Sequence, residues 1–176
     1  MEFDVKLIEE AINATLPGLA MCVRDANLSK EIEEKYIPYT IIHHRGFTDA
    51  SSRVMGMKTT HRYAILSNHM ADLSSIDQKN WGICVAHSGA HFLVLDNYKY
   101  HDKTQITLLH LPDDERWKLF QNVKINILDD IVIDTRKRFE NKCEKEVIPE
   151  LATEEWLMRC SWPLGVDGQG NLCDLE

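Results

Sequence analysis

Three strongly β-forming runs follow one another in residues 81–111, separated only by short polar breaks. They read W-G-I-C-V-A-H, then H-F-L-V-L-D-N-Y-K, then T-Q-I-T-L-L-H-L. Such a succession predicts a three-stranded antiparallel meander. In the second run, strand alternation puts Phe92, Val94, Asp96 and Tyr98 on one face and His91, Leu93, Leu95 and Asn97 on the other. Both faces carry apolar side chains, which places this strand in the interior of a sheet covered on both sides. The third run divides the same way, with Ile106, Leu108 and His110 opposed to Gln105, Thr107, Leu109 and Leu111.

The flanking chain predicts helices and further strands. Leu7, Ile8, Ala11, Ile12 and Leu16 recur at helical spacing behind a capping Asp4, and Pro17-Gly18 ends that helix. Residues 19–24 and 39–47 read as strands, as do 59–68. Residues 29–36 read as a short exposed helix capped by Ser29, or a long turn. The polar segment 48–58 has no period and reads as a loop, and 69–80 as a polar connection with one helical turn. Pro112 and the acids behind it open a helix through about Asn122. The spacing of Ile125, Leu128, Ile131, Val132 and Phe139 predicts another, and Thr153 caps a last one. The glycines of 165–170 mark a terminal turn or small hairpin.

Charge is unevenly distributed. The chain of 176 residues carries a net −8. Residues 112–176 hold 9 basic and 15 acidic side chains, so a net −6 belongs to the C-terminal third. An acidic field repels phosphate backbones and disfavours nucleic acid as a partner, while it speeds encounter with a basic protein. No apolar run reaches the roughly 18–20 residues needed to span a bilayer. The acidic start Met1-Glu2-Phe3-Asp4 lacks the basic region and apolar centre of a secretory leader, so a cytoplasmic location is expected. The five cysteines are widely spaced and include no C-x-x-C pair. They read as small core residues rather than disulfides or zinc ligands.

Motifs for chemistry are sparse. Neither a phosphate-binding P-loop nor a G-x-G-x-x-G is present. Eight histidines are a rich complement for this length, and His acts as acid, base or metal ligand. His43 and His44 are adjacent on a strand and face opposite ways. His61, His87, His91 and Asp96 form the candidate catalytic set, with His87-x-x-x-His91 across the Ser88-Gly89 break. If an enzyme is present, two or more of His61, His69, His87, His91 and His110 should converge with a carboxylate or a Cys.

These observations predict one α+β domain over residues 1–176. A mainly antiparallel sheet of five or six strands would carry an N-terminal helix, with C-terminal helices on one face. The leading functional expectation is a non-catalytic binding module that engages a basic partner, in the manner of an immunity protein neutralising a toxin or nuclease. Glu150, Glu154, Glu155, Trp156 and Trp162 would form its partner surface. No metal site, cofactor, nucleic-acid partner or membrane partner is expected. The alternative is a small His-dependent hydrolase, with or without a metal, whose site lies at the open end of the sheet.

Overall fold

The computed structural model describes residues 4–122 and 124–176; Met1, Glu2 and Phe3, on which the argument against a leader partly rests, lie outside them. In chain order the elements are α1 (Val5–Thr15), β1 (Ala20–Ala26), α2 (Lys30–Glu33), β2 (Ile41–His44), β3 (Thr48–Ser51), β4 (His61–Ser67), β5 (Ala71–Asp72), β6 (Ile83–Ala86), β7 (Ala90–Tyr100), β8 (Lys103–His110), α3 (Ile127–Lys142) and α4 (Glu154–Arg159). A 3₁₀ segment, Glu115–Asn122, precedes α3, and another, Pro149–Ala152, precedes α4. The fold is α+β. Capping follows the sequence: the side chains of Asp4, Ser29 and Thr153 accept the backbone N–H groups of Lys6, Ile32 and Trp156, which satisfies helix-start donors that otherwise have no partner.

The strands form one mixed sheet in the order β2-β7-β8-β4-β1-β3-β6-β5. Eight strands replace the expected five or six. The pair β4–β8 is parallel, with His61 opposite Thr104 and Leu66 opposite Leu109. The expected meander is also corrected. β7 and β8 are a hairpin, but β6 pairs with β3 and β5 instead of β7. The extra strands come from the segments read as loop and connection. Thr48-Asp49-Ala50-Ser51 lacks the bulky β-branched run that marks a strand, yet it is inserted between β1 and β6. Small side chains suit a strand buried at close quarters, and Ala50 and Ser51 are fully buried.

Both faces of the central strands are covered, as their composition requires. On one face Cys22, Ile42, Ala50, Tyr63, Ile65, Phe92, Val94, Ile106 and Leu108 meet Tyr36 and Leu164. On the other, Leu66, Leu93, Leu95, Leu109 and Leu111 meet Ala11 of α1, Trp117, Phe120 and Leu128 of α3. Full burial of each such large side chain stabilises by about 1.5–3 kcal/mol. One irregularity matters for chemistry. The β7–β8 register slips between Val94 and Asp96, and a bulge of one residue turns every later side chain to the opposite face. Asp96 therefore leaves the face of Phe92 and Val94 and meets Arg136 on α3, through two contacts of 2.7 Å. Among the described residues no helix is long and apolar enough to cross a membrane.

Candidate functional site

The C-terminal segment returns to the sheet and is fixed there by two buried phenols. The Tyr63 hydroxyl donates to Tyr36 Oη (2.6 Å) and accepts from Leu164 N (3.3 Å), while Tyr36 Oη donates to the Leu164 carbonyl (2.8 Å). Burial raises both phenols, Tyr63 to about 12, so they act as neutral hydrogen-bonding groups. The next residue, Gly165, has φ +71°, and a Cβ there would sit 2.8 Å from Ile42 Cβ. Only glycine takes both that backbone conformation and that approach. Gly165 N–H then donates to His44 Nδ1 at 3.2 Å. The turn that follows is closed by Asp167, whose Oδ1 accepts from Gln169 N (2.8 Å) and Asn171 N (2.9 Å). Those hydrogen bonds hold its carboxyl below the usual range.

This anchored segment faces the turn between β2 and β3 across an open cleft of about 440 Å³. Its lining includes Arg24, Arg45, Phe47, Arg159, Trp162 and Asp167. Arg24 comes from the middle of β1 and is almost fully buried. It donates from Nη1 to the Asp49 carbonyl and from Nη2 to the Trp162 carbonyl, each at 3.0 Å, and its Nε has no partner among the described residues. Arg159 pairs with Asp49 at 2.7 Å, and Arg45 reaches Glu176 only at 3.7 Å. His44, at the end of β2, is pushed down to about 4 by burial and then by the Arg24 charge, so it is neutral near pH 7. Phe47 and Trp162 are 65% and 51% exposed, and the Trp162 indole N–H is pinned to the Val166 carbonyl at 3.0 Å. Guanidinium groups favour anions with planar oxygen geometry, and exposed rings favour flat ligands. The volume is that of a small-molecule pocket.

The expected catalytic set takes separate partners. His61 Nδ1 accepts from Leu28 N and its Nε2 donates to Glu33 at 2.6 Å. His91 is stacked between His43 and Trp117, at ring separations of 4.6 and 4.0 Å. Asp96 is turned away to Arg136 by the bulge. His87 meets Asp113 at 2.7 Å. Three of the five candidate histidines do converge on one carboxylate, because His69 and His110 lie 3.4 and 3.5 Å from the same Asp113 Oδ1. Sequence reasoning missed Arg24, Arg45, Phe47, Arg159 and Asp167 in the cleft. Its one cue was an arginine inside the apolar run L-A-M-C-V-R. It also missed Asp113 as a focus, since the parallel pairing that aligns the ends of β4 and β8 leaves no mark in the sequence.

The expected partner surface is not an open acidic patch. Trp156 is buried against Trp81 at 5.1 Å. Glu150 lies 3.4 Å from Arg53 and accepts from Asn80, and Glu155 pairs with Lys79 at 2.5 Å. Glu154 is exposed, and Trp162 belongs to the cleft.

No family model matches the chain, and none of the curated proteins matches its sequence. Among solved structures it is similar to the type III effector XopAI from Xanthomonas axonopodis, with 15% identity and a TM-score of 0.46, covering 53% of this chain and 44% of that one. It is similar to exoenzyme S from Pseudomonas aeruginosa bound to carba-NAD, with 13% identity and a TM-score of 0.47 over 73% of this chain and 63% of that one. It is also similar to the ADP-ribosyltransferase HopU1 of Pseudomonas syringae, with 13% identity and a TM-score of 0.46 over 53% and 45%. The chain thus spans less than half the length of XopAI. These neighbours bear the names of an effector, an exoenzyme and an ADP-ribosyltransferase. With Trp156 buried and Glu150 and Glu155 paired to Arg53 and Lys79, the expectation of an immunity-protein-like binding surface at these residues is corrected. The catalytic set named for the hydrolase alternative, His61, His87, His91 and Asp96, is dispersed, and the histidines that do converge with a carboxylate are His69, His87 and His110 at Asp113.

Proposed function

We infer that the cleft between the β2–β3 turn and the C-terminal segment binds a dinucleotide, NAD, and that the chain transfers its ADP-ribosyl group. The observation that carries this reading is the cleft itself. In a chain of net −8, it gathers three guanidinium groups and two exposed aromatic rings. The rings of Phe47 and Trp162 suit stacking on the two flat ends of a dinucleotide. Arg45 suits its pyrophosphate, with bidentate donor geometry that lysine lacks, and the buried Arg24, whose Nη1 and Nη2 are held by the Asp49 and Trp162 carbonyls, adds fixed positive charge behind it. Transfer breaks the bond between the ribose and nicotinamide, builds positive charge on the ribose and joins that carbon to an acceptor. A preorganised anion beside that carbon stabilises the charge as it develops. Asp167, held ionised by backbone N–H groups, is the carboxylate that lines the cleft.

The test is a titration of the full chain with NAD, read by calorimetry and by intrinsic tryptophan fluorescence, with nicotinamide release measured alongside. Trp162→Ala and Arg45→Ala should each weaken binding roughly tenfold, the loss of one stacking or charged contact of about 1.4 kcal/mol. Asp167→Asn should slow nicotinamide release while leaving affinity within about threefold. Absence of saturable NAD binding, or equal binding by Trp162→Ala and Arg45→Ala, would sink the reading.

A further inference from the structure

The second cluster lies where the ends of β4 and β8 come together. Parallel pairing of these strands sets Ser67 beside His110, and Ser67 Oγ holds His110 Nδ1 at 2.8 Å. His110 is 1% exposed, and its Nε2 has no hydrogen-bond partner among the described residues. A buried polar atom left in that state is costly and calls for an explanation. The atom points to Asp113 Oδ1 at 3.5 Å, and His69 Nε2 lies 3.4 Å from the same oxygen. The His69, His110 and Asp113 ligand atoms all fall within 4.8 Å of one another.

We propose that His69 Nε2, His110 Nε2 and Asp113 Oδ1 bind a divalent transition metal, Zn²⁺ fitting best, with His87 as the outer group that holds Asp113 in place. Ligands about 2.0–2.1 Å from a tetrahedral zinc are separated by roughly 3.3–3.4 Å. The two His-to-Asp distances of 3.4 and 3.5 Å already match that edge. His69 Nδ1 donates to Asn68 Oδ1 at 2.8 Å, which leaves its Nε2 for ligation, and His110 Nδ1 is held by Ser67 Oγ at 2.8 Å, which turns Nε2 toward the site. Such Nδ1 partners orient metal-binding histidines. His87 Nδ1 donates to the Ser88 carbonyl, and its Nε2 sits 2.7 Å from Asp113 Oδ1. That is an ion-pair contact with a ligand, too short for a neighbouring ligand edge. The His69 and His110 rings stack at 3.9 Å with 20° between their planes. Binding turns the His69 ring out of this stack; its side chain is 30% exposed and has room to rotate. Two imidazoles and one carboxylate leave a fourth position for water, and a mixed nitrogen and oxygen set suits zinc rather than magnesium or calcium. The ion would tie the segment after β4 to the segment after β8.

The experiment uses the full chain, reduced and stripped with a chelator, titrated with Zn²⁺ by calorimetry and thermal melting, and with Co²⁺ by absorbance. One ion per chain, a raised melting temperature and a Co²⁺ spectrum without thiolate charge transfer are expected. His69→Ala and Asp113→Asn should abolish stoichiometric binding, and His87→Ala should weaken it roughly 10–100-fold as loss of an outer partner does. His101→Ala, on a distant surface turn, should bind as the parent does. No binding by the parent overturns the proposal. So does undiminished binding by His69→Ala and Asp113→Asn, or loss of binding in a Cys22→Ser/Cys84→Ser variant in place of the histidine variant. His69→Ala and Asp113→Asn alter partly exposed side chains, so their folding can be verified independently by circular dichroism.

Discussion

Mild acid should destabilise this protein by several kcal/mol before its carboxylates titrate. His44 and His91 are both buried, and burial pushes each down to about 4. In the unfolded chain each returns to about 6.5. The sign follows from which state takes up the proton. Above pH 6.5 both states are neutral at these sites and stability is whole. As pH falls below 6.5 the unfolded chain binds protons that the folded chain refuses until about pH 4. Linkage then puts the loss between pH 7 and pH 5 at about 2 kcal/mol for each histidine, or about 4 kcal/mol together. A domain's whole stability is about 5–15 kcal/mol, so the fraction lost is large. His87 and His101 are shifted upward and act in the opposite sense, but they are well exposed and solvent screening makes their effect small. Urea unfolding followed by tryptophan fluorescence at pH 7, 6 and 5 measures the change. Replacing His91 by Gln should lower the pH slope by about one proton, whatever it does to absolute stability. Equal stability at pH 7 and pH 5, within about 1 kcal/mol, would refute the argument, because a neutral buried imidazole must produce the slope.

Three further outcomes follow from packing. Arg62, 2% exposed, is held by Asp25 at 2.7 and 2.8 Å and by the Met55 carbonyl at 2.8 Å. Asp25→Ala strands that charge and should cost about 3–5 kcal/mol in chemical denaturation; a loss below about 1 kcal/mol would mean that water reaches the guanidinium. Gly56 bridges to Val147, and a Cβ there would lie 1.8 Å from the Lys145 carbonyl oxygen. Gly56→Ala should therefore shift the 144–148 segment and destabilise by about 1–3 kcal/mol, and an unchanged melting temperature would count against that close approach. Trp156→Ala should cost about 3–5 kcal/mol of stability as a core truncation. A variant that melts like the parent would show that the indole is exposed.

Local physics made much of the fold legible. The helical spacing behind Asp4, the Ser29 and Thr153 caps and the strand runs at 61–67, 90–100 and 103–110 rest on interactions within a few residues. Two-sided burial of β7 and β8 was also readable, because an apolar residue on each face leaves no face for water. β3 was not legible. Thr48-Asp49-Ala50-Ser51 has weak strand propensity and exists because β1 and β6 supply its hydrogen-bond partners. The position of Asp96 was illegible for a similar reason: alternation predicts a face, and one bulge reverses it.

What the sequence by itself determined was an α+β chain with a buried β7–β8 hairpin, capped helices and an acidic C-terminal third. Tertiary structure decided everything that brings distant residues together. It set β6 beside β3 and aligned the ends of β4 and β8 in parallel, so that His69, His87 and His110 surround Asp113. It carried the C-terminal turn back to β1, where Arg24 faces Trp162 across 138 positions of chain. The physical reason is range. Propensity, capping and alternation act over a few residues, whereas each of these clusters depends on strand order and register, which are settled by burial of the whole sheet.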